Sequence, residues 1–433
     1  MATTTSPTPL PVLPYAVGHA GPGFLALVAG LVPLTVLGLV AYAYQFVEGE
    51  AVTGLRDLGT MGGATWGLYI VFVVYFVGVS FAGITVAAMI RLFDLTHLRP
   101  VARMAELLTV VALVMAALAV IIDLGQPGRG IINLFRYARP QSPFFGTFTL
   151  VLSGYLIASY IYFYLDSRRD AAELARRPTR LAGLFRFWAA GYQESVESRE
   201  RHDRATFWLS LAIIPLLVIA HSTLGFVFGI QGGAAGWYSA LQAPAFVVLA
   251  GVSGIGHIIV MAAIARRFLH LEAELPIRIF SWFGNMLWVL IVVALYFVVA
   301  EMLTGGYAGH HHESRVHDAL LTGEYAWLFW STVGLLIISL LLVFGQFATR
   351  RYSIGLLVTA GVLVNLAAIG KRYLIVVPSQ THGSLLPYDV GSYAPTWVEY
   401  AIVVGLMALG ALAIVVTFKL FPIMDVRIAD EGA

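Results

Sequence analysis

Ten apolar runs, each close to the length that crosses a bilayer, constrain this chain more than any other feature. They fall at about 23–46, 66–90, 104–122, 145–165, 207–230, 238–264, 280–303, 325–347, 353–375 and 397–418. Crossing roughly 30 Å of hydrocarbon takes about 20 helical residues, and a backbone in lipid must satisfy its own hydrogen bonds. The expected fold is therefore an all-α polytopic membrane protein of about ten transmembrane helices. Composition excludes the soluble alternative. Charged residues make up 12% and hydrophobic ones 59%, whereas soluble domains carry roughly 25% charged residues, and a chain this long cannot bury such a surplus.

The loops then set the sides. Of the 26 Lys and Arg residues, 19 fall in the even-numbered loops and the C-terminal segment and 7 in the odd-numbered loops. By the positive-inside rule both termini are expected in the cytoplasm. The layout is a cytoplasmic segment 1–22, a transmembrane domain 23–418 and a cytoplasmic tail 419–433. Residues 1–23 contain no Lys or Arg, so the basic region of a cleavable signal is missing and the first helix is expected to stay. Nine arginines mark the loop after the fourth span. Within it Leu181, Leu184, Phe185 and Trp188 recur at helical spacing beside Arg180 and Arg186, the pattern of an interfacial amphipathic helix. A net charge of +2, sorted by side, gives no footing for nucleic acid. The chain has no cysteine, so a thiolate iron–sulfur cluster, thiolate zinc or c-type haem has to sit on a partner.

Helix two carries Gly78-Val79-Ser80 with Gly83, and helix six carries Gly251-Val252-Ser253 with Gly256. Two readings stay open: helices 2–5 and 6–9 are parallel repeats, or small-residue packing motifs recur by chance.

Ionisable residues inside a membrane are costly and point to function. Asp123 ends helix three in the run Asp123-Leu124-Gly125-Gln126-Pro127-Gly128-Arg129. It is either a helix-ending turn with an ion pair to Arg129 or a proton acceptor beside a redox ligand. His221 lies in the outer half of helix five, either tying helices together or facing a cavity. An imidazole and a carboxylate at similar depth suit a quinol head group, one holding an oxygen and the other taking a proton. Haem b would need two histidines at matched depth, but His221 and His257 differ by about 15 Å. His257 is a structural hydrogen-bonder or part of a proton path, and Glu301 marks another outer helix end. Lys371 and Arg372 read first as interfacial snorkellers. The run His310-His311-His312-Glu313 reads as a solvated loop before a metal site, and no metal ligand set is assigned. The aromatic residues Trp66, Tyr69, Trp237, Tyr238, Tyr325, Trp327, Trp330 and Trp397 crowd the outer helix ends as an aromatic belt.

Several of these segments together resemble the NrfD/PsrC (polysulfide reductase) family. The resemblance rests on the Asp-Leu-Gly-x-Pro-x-Arg run, Arg139-Pro140-Gln141-Ser142-Pro143, the His221-Ser222 helix and Trp237-Tyr238-Ser239-Ala240-Leu241. It covers nearly the whole chain, which is also similar to membrane subunits of alternative complex III and related menaquinol oxidoreductases. One departure is Phe144-Phe145-Gly146-Thr147, where many members carry Trp-Asp. The resemblance implies two four-helix bundles with two peripheral helices, no haem, and a menaquinone or ubiquinone site near the outer face. It implies a ferredoxin-like iron–sulfur subunit docked there, with a molybdopterin-type or multihaem cytochrome subunit beyond it. Asp123 and His221 carry over as quinol-binding catalytic residues, with Arg129 in support. Proton translocation is a further expectation, with His257 and Glu301 as candidate path residues. The host membrane is then the inner membrane of a bacterium or archaeon. A secondary transporter or a purely structural membrane anchor is the competing reading.

Overall fold

In a computed structural model, residues 13–55, 64–137, 149–307, 311–382 and 392–426 are described, together with 139 and 141. Among the described residues ten helices are long and apolar enough to span a membrane. They are α1 (Pro22–Glu48), α2 (Leu68–Leu92), α3 (Arg99–Asp123), α5 (Thr149–Leu174), α7 (Val196–Gly229), α8 (Gln242–Phe268), α9 (Ile277–Tyr307), α11 (Ala326–Thr349), α12 (Ile354–Val376) and α14 (Trp397–Leu420). Shorter helices α4 (Pro127–Tyr137), α6 (Ala182–Ala189), α10 (His311–Leu321) and α13 (Pro378–Thr381) lie between them. No strand occurs among the described residues.

The spans sort into two rings of four. Helices α2, α3, α5 and α7 close one bundle, and α8, α9, α11 and α12 close the other. The bundles meet where α2 packs on α8, with α7 and α12 flanking that seam. In α2, 83% of the most apolar stretch is buried, against 17% in α1, which makes α2 the central post and α1 a lipid-facing helix. The two Gly-Val-Ser motifs meet at this crossing. A Cβ on Gly254 would lie 2.8 Å from the Val79 carbonyl, and one on Gly78 would lie 3.5 Å from Ser253 Oγ. Without a hydrophobic drive between helices in lipid, this close backbone approach is what holds the seam. The peripheral pair α1 and α14 uses the same device, since a Cβ on Gly38 would lie 2.7 Å from Gly405 Cα.

Helix ends differ from hydropathy where the helices run past the hydrocarbon. Helix α5 continues to Leu174 and α7 begins at Val196, so much of the arginine-rich loop is helix projecting from the membrane. Ser195 caps α7 by accepting from the Ser198 N–H at 3.2 Å. The amphipathic helix forms as α6, but its apolar face is covered by protein instead of resting on lipid. Phe185 is fully buried with Leu13, Val17, Phe421 and Val426, and Trp188 Nε1 donates to Ser167 Oγ at 2.8 Å. At this arginine-rich face Arg103 reaches Asp166 at 3.0 Å and pairs with Asp170, while Arg91 pairs with Asp166.

Candidate functional site

At the opposite face, α3 stops because Gly125 turns the chain at φ +59° and Pro127 begins α4. Asp123 is thereby left half-buried at the helix end, while Arg129 is exposed on α4. Three other helices bring polar side chains to the same place. Tyr69 of α2, fully buried, donates to Gln45 Oε1 of α1 at 2.5 Å and lies within electrostatic range of Asp123. Gln45 Nε2 in turn donates to the Ile122 carbonyl at 3.4 Å and to Glu50 Oε1 at 3.3 Å. Beside them the buried Glu399 accepts from the Gly54 N–H at 2.7 Å and from the Tyr393 hydroxyl. Burial, with Glu399 alongside, pushes the Tyr393 hydroxyl well above the usual phenol pKa, so it stays a donor.

Directly below this polar cluster an open apolar cleft runs between α1, α3 and α14. Thr35, Leu39, Tyr42, Ile122, Leu406 and Leu409 line it. Its rim at Ile122 adjoins Asp123. The cleft itself is lined almost wholly by apolar side chains, with the polar cluster beyond its rim, and an apolar groove with a few polar groups nearby is a common form of small-molecule site.

The structure sets His221 apart from Asp123. Its ring nitrogens lie 2.9 Å from the Leu217 carbonyl and 2.8 Å from the Val77 carbonyl, and Phe81 and Tyr155 close around the ring. Val77 stands eight residues below Tyr69 on α2, about 12 Å deeper, and α3 and α7 occupy opposite corners of the first bundle. His257 lies at the seam, its Nδ1 3.1 Å from the Ser253 carbonyl, beside Asn365, which accepts from the Tyr75 hydroxyl at 3.1 Å.

Residues 57–382 match the family described as Polysulphide reductase, NrfD. The chain belongs to that family. Its relatives include a putative dimethyl sulfoxide reductase membrane subunit of Halobacterium salinarum, 29% identical over 96% of this chain and 94% of the relative. A selenate reductase subunit of Mesobacillus selenatarsenatis is 27% identical over 90% and 92%. An Hdr-like menaquinol oxidoreductase integral membrane subunit of Archaeoglobus fulgidus is 25% identical over 94% and 95%.

In this NrfD protein the structure corrects two expectations. Lys371 and Arg372 do not snorkel. Lys371 pairs with Glu301, and Arg372 is 2% exposed with its guanidinium 4.1 Å over the Phe246 ring. A helix end inside a bundle offers charged groups to neighbouring helices before it offers them to water. The aromatic belt divides as well. Tyr238, Trp327, Trp330 and Trp397 are exposed, but Tyr69, Trp237 and Tyr325 are buried, and Trp66 stacks on Trp237 at 5.7 Å. Among the described residues no cluster of three metal-type ligands occurs. Residues 142–148 and His310, with the side chains of His311 and His312, lie outside the described residues. Gln45, Glu50 and Glu399 join the polar cluster at this face without having been singled out in the sequence, although each is a polar residue at the outer limit of an apolar run.

Proposed function

We propose that this chain is the quinone-reactive membrane subunit of a multisubunit reductase complex, exchanging electrons between menaquinone or ubiquinone and a partner ferredoxin-like iron–sulfur subunit. The arginine-rich face is cytoplasmic, so the partner docks on the outer face. There it passes electrons to or from a molybdopterin-type or multihaem cytochrome subunit. The observation that carries this reading is the polar cluster of Asp123, Tyr69 and Gln45 set on the apolar cleft between α1, α3 and α14. Kinship with subunits of dimethyl sulfoxide and selenate reductases and of a menaquinol oxidoreductase supports it.

Quinol oxidation supplies two electrons and two protons. Asp123, next to the cleft rim at Ile122, takes one proton as general base, the second proton leaves to water at the outer face, and the two electrons pass to the iron–sulfur partner. Tyr69 and Gln45 orient a ring oxygen, the cleft below holds the apolar part, and Arg129 steadies the carboxylate from the surface. His221 acts as a positioning residue, clamping α7 to α2 through Val77. Glu301 with Lys371, and His257 with Asn365 and Tyr75, are the proton-path residues of the second bundle and the seam.

A photoreactive quinone analogue in the assembled complex tests the site. Labelling is expected on the α1, α3 and α14 residues around Tyr42, Ile122 and Leu406. Labelling confined to the surroundings of His221 would move the site into the first bundle and overturn this reading.

A further inference from the structure

Glu106, about 10 Å into α3 from Arg99, is fully buried, and neither of its carboxylate oxygens has a hydrogen-bond partner among the described residues. The charged side chains acting on it are Asp166 from α5, Arg91 from α2 and Arg103 of its own helix. Arg91 approaches to 3.9 Å but is already engaged by Asp166. Arg103 is divided between Asp166 and Asp170. Two guanidinium groups thus face four carboxyl groups, Asp166, Asp170, Asp425 and Glu106, and Glu106, with no hydrogen-bond donor on either oxygen, is the one that burial disfavours as an ion.

Arg91, Arg103 and Asp166 also line a polar pocket open at the arginine-rich face, together with Arg169, His202 and Asp203. Glu106 lies behind that lining. Above it the first bundle stays polar. Thr109 Oγ1 and the Tyr155 hydroxyl both donate to the Ser80 carbonyl, at 2.9 and 3.0 Å, Ser159 Oγ has no partner among the described residues, and His221 binds Val77 beyond.

We infer that Glu106 is a proton-binding site, protonated at neutral pH and exchanging its proton with water of the arginine-rich face through the Arg91–Asp166 pair. On release Glu106 becomes a carboxylate and its proton moves to water of the arginine-rich face. Arg91 is placed to turn from Asp166 to Glu106 and hold the new charge. The proton site itself stands without the quinone reading, whereas its use during turnover rests on it.

Infrared difference spectroscopy on the purified complex, with carbon-13 glutamate to assign the band, tests the site at rest and without quinol. A protonated carboxylic acid band is expected near neutral pH. It should shift in heavy water and vanish in Glu106→Gln, which preserves the shape of the neutral form. Absence of the band, or a band that does not shift in heavy water, overturns the inference, and the labelled unsubstituted protein decides this even if the variant assembles poorly. In proteoliposomes Glu106→Gln should lose proton uptake from the arginine-rich side while keeping quinol-dependent electron transfer. Unchanged uptake overturns the role of Glu106, whereas a failure of electron transfer in the unsubstituted complex would overturn the quinone reading alone.

Discussion

Asp123→Asn separates a catalytic role from a structural one because the two predict opposite changes in stability. Asp123 closes α3, where the helix dipole presents its negative end and a carboxylate is unfavourable by about 0.3–1 kcal/mol. Asparagine has the same shape without the charge, and its amide can donate to the last carbonyls of the helix. Assembly and thermal stability of the complex should therefore hold or rise slightly. Asparagine cannot accept a proton from quinol, so turnover should fall about 10²- to 10⁴-fold, the range for loss of a general base. That corresponds to roughly 3–5 kcal/mol of barrier. The assay is quinol-dependent electron transfer per assembled complex, with complex abundance measured in parallel. Full turnover per complex in Asp123→Asn would refute the reasoning. So would a fall in abundance with normal turnover, because it would make the carboxylate a structural partner of the Tyr69 and Gln45 cluster.

His221→Ala removes the imidazole that ties α7 to the Val77 carbonyl of α2 and leaves a cavity beside Phe81 and Tyr155, a loss of about 0.5–1.5 kcal/mol for the hydrogen bond with a cavity cost on top. Lower abundance is expected on blot, and its effect on stability should add to that of Asp123→Asn, because the residues stand about 12 Å apart in depth. Lys371→Met leaves the half-buried Glu301 carboxylate without its partner and should lower abundance, by less than the about 3–5 kcal/mol of a fully buried pair. Adding Glu301→Gln should restore it, and a double variant no better than the single would show that the pair is not coupled. Gly405→Val places a side chain on Gly38 and should part α1 from α14, read as lost cross-linking between a pair of cysteines introduced into the two helices and loss of quinol turnover as the cleft opens. A C-terminal phosphatase fusion should be inactive and a C-terminal fluorescent fusion bright, and the reverse pattern would invert both faces.

The amino-acid sequence by itself determined what depends on each segment's own exchange with lipid. Ten apolar runs became ten helices within a few residues at most ends, and the Gly and Pro after Asp123 left it at a helix end. These are local quantities, summed along one helix. Even Glu106 carried a local signal, as an acidic residue two positions inside the third apolar run, though depth alone did not say whether it was paired. The tertiary structure decided which helices are neighbours. It put Gln45, Tyr69 and Asp123 from three helices into one cluster, brought Lys371 to Glu301 across 70 residues, and turned His221 onto a backbone carbonyl of α2 instead of a cavity. It also covered α6 with protein where the pattern implied lipid. The reason is that a span apolar on all sides carries no stripe to mark its buried face. In lipid the hydrophobic effect does not distinguish a neighbouring helix from an acyl chain, so lateral order rests on shape, close glycine contacts and a few polar pairs.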